Sequence, residues 1–358
     1  MAGTREVVRV PGTPIRETAH ARGYAPLVEV RRGEIVESVH FGAIAVVDAQ
    51  GTCVAAAGEP AQPVVLRSTA KPAQVLPLID SGGAERFRFS DAEIAVMTGS
   101  HGGEPFHVDA VRSILERIGL DERALQCGAH APYHRPSARA LRQRGQEPTA
   151  LHNNCSGKHA GMLALAVHLG APIDRYLDSR HPVQERIRAR IESLAGLASG
   201  ASPLVIDGCS APTFAMPLAS LALLYARLAV PAGLSAGADP SVRRAVAAMR
   251  VHPEMVAGTD RLCTALMRTG RSGLIAKIGA EGMYGLAWER GGTGYGLALK
   301  ISDGEGQRSR FSVALEALRQ LEVLSAEEVS SLRAQYVEEV RNHRGLVVGS
   351  IRTTFRLA

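Results

Sequence analysis

The sequence predicts an α/β (α+β) fold in which one antiparallel sheet is built from both ends of the chain and a helical lobe is inserted between them. Three observations predict it. From Pro26 the segments LVEVRR, EIVESVHFG, AIAVVDAQG and CVAAAG read as short strands around turns at Arg32-Gly33 and Ala49-Gln50-Gly51, forming an antiparallel meander. From about Ser68 to Gly270 apolar residues recur every three or four positions, the spacing of helices with one buried face. After that, GLIAKIG, MYGLAWE and GYGLALKIS return to strand patterns joined by glycine-rich turns.

Each element has a local reason. Residues 1–23 read as a flexible N-terminal arm, because proline, glycine and charge interrupt every apolar run. In the middle, DAEIAVM, PFHVDAVRSILERIG, AGMLALAVHLG, PVQERIRARIESLAG and PTFAMPLASLALLYARLA carry helical spacing. Ser90 with Glu93 makes a capping box, and Gly119, Gly170 and Gly196 stand where helix C-caps belong. PLVIDG interrupts the region as a short strand, and helices near residues 308–322 and 325–341 close the chain. With no internal repeat or low-complexity linker, residues 24–358 are expected to form a single domain, with the helical lobe at about 68–270 and the cleft between sheet and helices.

Composition narrows the function. At 358 residues, 46% hydrophobic and 21% charged, the chain can bury a large core, and no run of about 18 uncharged apolar residues offers a membrane span. The N-terminus lacks the continuous apolar segment of a signal peptide, so a cytoplasmic location is expected. Five scattered cysteines, Cys53, Cys127, Cys155, Cys209 and Cys263, argue for reduced thiols rather than a disulfide framework. The net charge of +6 is spread among acidic residues, as from Gln184 to Glu192, and no basic cluster points to nucleic acid. Only four of the 41 basic residues are lysines: Lys71, Lys158, Lys277 and Lys300. A guanidinium cannot act as a base, so an arginine-rich chain keeps lysine where an amine of tunable pKa is needed; codon bias is the alternative explanation.

Three motifs carry hydroxyls and amines. Arg67-Ser68-Thr69-Ala70-Lys71-Pro72 turns a strand into a helix, with Pro72 in the first turn and Lys71 three residues after Ser68, the S-x-x-K spacing. Such a tetrapeptide is more often a capping serine followed by a surface lysine, but a lysine with a lowered pKa can activate the hydroxyl. Thr98-Gly99-Ser100-His101-Gly102-Gly103-Glu104 is a glycine-rich loop offering a second hydroxyl, Ser100. Lys277 lies on a late strand in Ala276-Lys277-Ile278-Gly279. Each is weak alone; their order, S-x-x-K, serine loop, K-x-G, is that of serine β-lactamases and penicillin-binding proteins.

Two further motifs, Leu151-His152-Asn153-Asn154-Cys155-Ser156-Gly157-Lys158-His159 and Asp207-Gly208-Cys209-Ser210, place thiols, amine, imidazole and carboxylate at element ends. They allow a zinc site with soft sulfur ligands, a Cys155–His159 nucleophile pair, or two isolated structural cysteines, and spacing alone does not choose.

RSTAKPAQ, TGSHGGEPFHV, CGAHAPYH, LHNNCSGKHAGMLA, DGCSAPTFAMPL and IAKIGAEGMYG together resemble the rhizobial-type, or class 3, L-asparaginases of the asparaginase II family, from about residue 24 to the C-terminus. The resemblance implies a serine β-lactamase-like and glutaminase-like fold, hydrolysis of L-asparagine to L-aspartate and ammonia, and a homodimer. It implies two catalytic Ser-Lys pairs, Ser68 with Lys71 and Ser100 with Lys277, and a Zn ion held by Cys155, Lys158 and Cys209. Arg67, His159, Asp207 and Cys263 match positions of the substrate pocket. Ala129 stands where proline is expected, and the N-terminal extension lies outside the pattern. The mechanism so implied has Ser68, deprotonated with help from Lys71 and the Ser100–Lys277 pair, attack the side-chain amide to form an aspartyl ester. A glutaminase, another Ser-Lys acyl hydrolase such as a β-lactam-cleaving enzyme, and a non-catalytic zinc or amino-acid binding protein are the alternatives.

Overall fold

The computed structural model describes residues 23–229, 239–304, 306–337 and 339–358. The expected arm, apart from Gly23, lies outside the described residues. Strands β1 (Ala25–Arg32), β2 (Ile35–Asp48) and β3 (Cys53–Ala57) form the expected antiparallel meander. EIVESVHFG and AIAVVDAQG, read as separate strands, are one continuous β2, because Phe41-Gly42-Ala43 stays extended where the sequence suggested a break.

Strands β4 (Pro63–Val65), β5 (Leu204–Ile206) and β6 (Pro212–Pro217) make a small antiparallel sheet in the order β4-β6-β5. PTFAMP was expected to open a helix. Instead Pro212 and Pro217 bracket a strand, and the helix begins at Leu218. In the last third, β7 (Ile275–Ile278), β8 (Met283–Arg290) and β9 (Thr293–Ile301) follow the expected pattern. The helices Phe311–Gln320 and Ala326–Tyr336 come next. Two strands the sequence reading lacked then close the chain, β10 (Val340–Arg341) and β11 (Val347–Thr353), and β11 pairs with β1.

The main sheet has eight strands, with β10-β11-β1-β2-β9-β8-β7 in order and β3 on β2. N-terminal β1 and β2 therefore lie between C-terminal β11 and β9, and these pairings are antiparallel. The central residues Ala43–Val47 of β2 are all buried, as a strand covered on both faces must be. The helix Leu218–Leu228 packs on β9, β2 and β8, and Phe311–Gln320 packs on β1 and β11.

Gly294 and Gly296, inside the segment read from sequence as a strand, have a packing role in β9. A Cβ on Gly296 would sit 2.0 Å from Ala222 O, and one on Gly294 would sit 2.4 Å from Ala226 O. The helix rests on strand backbone with no side chain between them. Gly296→Ala is expected to lower stability by about 3 kcal/mol through overpacking, seen as a lowered Tm in calorimetry.

The helical part is built around Ser156–Leu169, whose residues from Ser156 to Ala166 are all buried. The helix Asp91–Met97 crosses it closely enough that a Cβ on Gly157 would meet Val96 O at 2.3 Å. That contact sets the loop after Met97 against the turn before Ser156, with His101 N–H donating to Asn154 O at 3.3 Å. The Ser90–Glu93 capping box forms, and Gly119, Gly170 and Gly196 all take positive φ. Among the described residues no helix is long and apolar enough to cross a membrane.

Candidate active site

The S-x-x-K segment begins in an unusual backbone. Arg67 has φ +51°, in the left-handed region that costs a non-glycine residue energy, and Arg67–Ala70 forms a 3-10 turn. The turn is held from outside: Leu66 N–H donates to Phe214 O at 2.9 Å, Tyr225 O–H to Thr69 O at 2.8 Å, and Arg67 Nε–H to Asp207 Oδ1 at 2.7 Å. Ser68 thus lies in a 3-10 turn rather than at the start of a long α-helix, and Lys71 opens the short helix Lys71–Gln74.

Lys71 is 1% exposed. Its Nζ lies 2.7 Å from Gly99 O, 2.9 Å from Ser100 Oγ, 3.2 Å from Cys155 Sγ and 3.3 Å from Asn154 O. From β7, wholly buried Lys277 reaches the same hydroxyl, with Nζ 2.7 Å from Ser100 Oγ and 2.8 Å from Ile278 O. Ser100 is held in place by its N–H on Val256 O at 2.8 Å. Three of the four groups expected to meet therefore do so, with Ser100 Oγ between two amines. The fourth, Ser68, is buried on the same turn as Lys71, but among the described residues its hydroxyl makes no hydrogen bond. The lysine three residues after Ser68 binds Ser100 instead.

Burial, and then the nearby Lys71 amine, push Lys277 well below the ordinary lysine range. A neutral amine has two N–H groups and a lone pair. Lys277 can donate to Ile278 O and still accept the Ser100 proton.

The cysteine motifs converge on the other side of Lys71. Cys155 Sγ accepts a hydrogen bond from Cys209, and this bond, with Lys71 and Lys158 nearby, outweighs burial and holds the Cys155 thiol well below its usual pKa. The same bond, together with burial, pushes Cys209 up. Lys158 Nζ is 2.9 Å from Cys209 Sγ. Burial works against the Lys158 charge, but Cys155 and Cys209 outweigh it, so its pKa is raised. Of the two sulfurs, charge is therefore favoured on Cys155 over Cys209, with the Lys158 amine alongside. Two sulfurs and one nitrogen meeting in this way are a donor set of the kind zinc takes, so the residues fit the ion that the resemblance implies. Among the described residues no group of three or more His, Cys, Asp or Glu side chains is arranged for a metal, so a lysine would have to serve as the third ligand.

Asp207 carries Arg67 and is acidified: partial burial opposes its charge, but Lys158, the Gly208 N–H and Arg67 outweigh it. Arg67 Nη1 also lies 3.8 Å from Glu281. Cys263 Sγ is 3.1 Å from Tyr284 O–H. His159 is fully buried, its Nδ1 2.7 Å from Tyr176 O–H. The proposed nucleophile pair Cys155–His159 does not form, since among the described residues Cys155 meets Lys71, Asn154 and Cys209 while His159 meets Tyr176. Lys300, the lysine outside the motifs, donates instead to backbone, to Glu281 O at 2.7 Å.

Sequence reasoning missed several supports. Asn153 Nδ2–H binds Cys127 O and Gly128 O while its Oδ1 accepts from Cys155 N–H, and His130 Nε2 accepts from Asn154 N–H. These polar residues sit in quoted motifs, but nothing in their spacing names their partners. A cavity of about 870 Å³ lined by residues including Arg112, His134 and His152 contains none of Ser68, Lys71, Ser100 or Lys277.

Among solved structures the chain is similar to Mglu in its native form, at 16% identity over 79% of this chain and 64% of that one, with a TM-score of 0.42. It is also similar to Bacillus glutaminase in the presence of 4.3 M NaCl, at 13% identity over 79% and 91%, TM-score 0.36. A third is a β-lactamase from Mycobacterium bovis, at 14% identity over 79% and 95%, TM-score 0.34. The chain spans 60% and 64% of the length of two native Mglu structures. At these scores the likenesses stand as likenesses only. No curated protein matches the chain. The family described as L-asparaginase II matches residues 28–353, a span that holds all the residues of the site. The chain belongs to the L-asparaginase II family and, with it, to the amidohydrolases.

Proposed function

We propose that the protein is an L-asparaginase that hydrolyses L-asparagine to L-aspartate and ammonia through an ester on a serine. One observation carries the reading: Ser100 Oγ held between the Lys71 and Lys277 amines in a buried site. Ser68, whose hydroxyl has no hydrogen bond among the described residues, attacks the side-chain amide carbon. Its proton passes through Lys71 and Ser100 to neutral Lys277. Returned to the amide nitrogen, that proton lets ammonia leave, and the remaining aspartyl ester is hydrolysed by water activated through the same relay. Arg67, with Nη groups left over from Asp207, suits the substrate α-carboxylate. In this reading Cys155, Lys158 and Cys209 would hold a zinc ion, which would supply positive charge near the substrate. The homodimer that the resemblance implies belongs to the same reading and is checked by sedimentation.

A second assignment, in which Ser100 is the acylated hydroxyl, is favoured by its direct contact with both amines. The function is tested by ammonia release from L-asparagine and L-glutamine, alongside nitrocefin hydrolysis, with and without a chelator. Release from asparagine above glutamine, with nitrocefin untouched, is the expected result; glutamine preference or nitrocefin cleavage would replace this reading with a neighbouring hydrolase.

A further inference from the structure

The loop that carries Ser100 rests on a segment that is itself held on both sides of the contact. Ser100 N–H donates to Val256 O at 2.8 Å, and a Cβ on Gly99 would sit 2.8 Å from Met255 O and 3.0 Å from Val256 O, so the two backbones meet with no side chain between them. On one side, His107 Nε2 lies 2.9 Å from Glu254 O. His107 Nδ1 accepts from Glu104 N–H at 3.1 Å, so the ring proton is on Nε2 and goes to that carbonyl. Burial pushes the His107 pKa down to about 4, which keeps the ring neutral and the acceptor free. On the other side, the buried Glu104 carboxylate takes both donors of exposed Thr259, N–H to Oε1 and O–H to Oε2, each at 2.9 Å. Gly258 leaves room for it, since a Cβ there would sit 2.7 Å from Oε1. His134 Nε2, 3.8 Å from Oε2, is too far for a hydrogen bond. Thr264 O–H, on Gly258 O at 2.6 Å, ties the segment to its own following helix independently of Glu104.

We propose that Glu104 is a positioning residue: together with His107 it clamps residues 254–259 against the Ser100 loop, and so fixes Ser100 Oγ between the Lys71 and Lys277 amines. The proposal rests on the reading in which Ser100 is the relay or the nucleophile of the hydrolysis. Among the described residues Glu104 bonds to none of Ser68, Lys71, Ser100 or Lys277; it acts through Thr259 and the Val256 carbonyl. With amines at 2.9 and 2.7 Å, the hydroxyl has little tolerance, and a misplacement of about 1 Å can cost on the order of a hundredfold in rate. The role needs hydrogen bonds rather than charge. A glutamine can offer its carbonyl oxygen to Thr259 N–H and its own N–H to the Thr259 hydroxyl oxygen, whereas methionine fills the space and offers neither.

The test compares Glu104→Met, Glu104→Gln and Thr259→Val in the full-length chain by steady-state ammonia release and by amide hydrogen exchange. Glu104→Met should lower kcat for asparagine about thirtyfold with KM moved less than about threefold, the mark of a misplaced reacting group rather than of lost substrate binding. Exchange at the Ser100 amide should speed up about tenfold or more, while the buried helix Ser156–Leu169 exchanges as in wild type. Glu104→Gln should restore most of both. Adding Thr259→Val to Glu104→Met should cost nothing further, since the bond it removes is already gone. Should Glu104→Met fail to fold, Thr259→Val alone carries the comparison from an exposed position, with kcat expected to fall about fivefold and Ser100 exchange to quicken. Wild-type kcat and exchange in both Glu104→Met and Thr259→Val, no rescue by glutamine, a loss confined to KM, or faster exchange throughout the Ser156–Leu169 helix would each overturn the proposal. Wild-type protein that leaves asparagine intact would sink the asparaginase reading alone, and the clamp is then judged on the exchange rates, which need no turnover.

Discussion

Lys277→Met is expected to lower kcat for asparagine by about 10³-fold, measured as ammonia release, while leaving the protein folded. Methionine fills nearly the same volume, so the loss comes from removing the amine that takes the Ser100 proton. The same variant carries a signature in stability. Burial depresses the Lys277 pKa below its unfolded value, so the unfolded chain binds the extra proton between those two values. Wild-type stability therefore rises with pH across that window, which ends near the ordinary lysine pKa of about 10.4, and carries its full cost below the depressed value. Methionine has no such term. The stability of Lys277→Met minus that of wild type should fall as pH rises toward the ordinary lysine range, as followed by denaturant titration. A difference independent of pH would mean that Lys277 is charged in the folded protein and cannot be the base.

Ser68→Ala and Ser100→Ala should each reduce turnover by about 10³-fold or more, as loss of one member does in other hydroxyl-based hydrolases, but they should fail in different ways. With Ser68 gone there is no hydroxyl to acylate, and rapid quenching with intact-mass measurement should find no aspartyl adduct. With Ser100 gone the relay between the amines is broken. Acylation and ester hydrolysis both slow, yet any adduct that forms should map to the peptide containing Ser68. An adduct mapped to the peptide containing Ser100 in the wild type would reverse the two roles and favour the second assignment.

Much of this arrangement was legible in the chain. The scarcity of lysine marked the three amines that the fold brings to the site, because a charge-bearing surface can be written in arginine whereas a titratable amine cannot. Strand patterns at both ends foretold the shared sheet, and caps such as Ser90 and Gly170 carry signals that act within one turn. What was lost was decided by distant partners. PTFAMP has apolar spacing open to either a helix or a strand, and its pairing with Pro63–Val65 and Leu204–Ile206 settles it. VVGSIRT is a strand because Ala25–Arg32 offers an edge more than 300 residues upstream. The swap of Lys71 from Ser68 to Ser100 follows from the 3-10 turn that left-handed Arg67 begins, and no tripeptide rule announces it. Tyr176, outside all the quoted motifs, had no local signal.

The interleaving of the first and last strands has a consequence for how the molecule is made. Ala43 is paired opposite Lys300, so a chain emerging N-terminus first must wait for nearly all of its synthesis before the second edge of its middle strand finds a neighbour. Until then β2 offers an unpaired edge to the crowded cell, a period in which assistance or aggregation is decided. Lys277 arrives on the same late three-stranded meander, β7-β8-β9, that supplies this neighbour. Completing the architecture and arming the chemistry are thus one event, and a truncated product can carry neither.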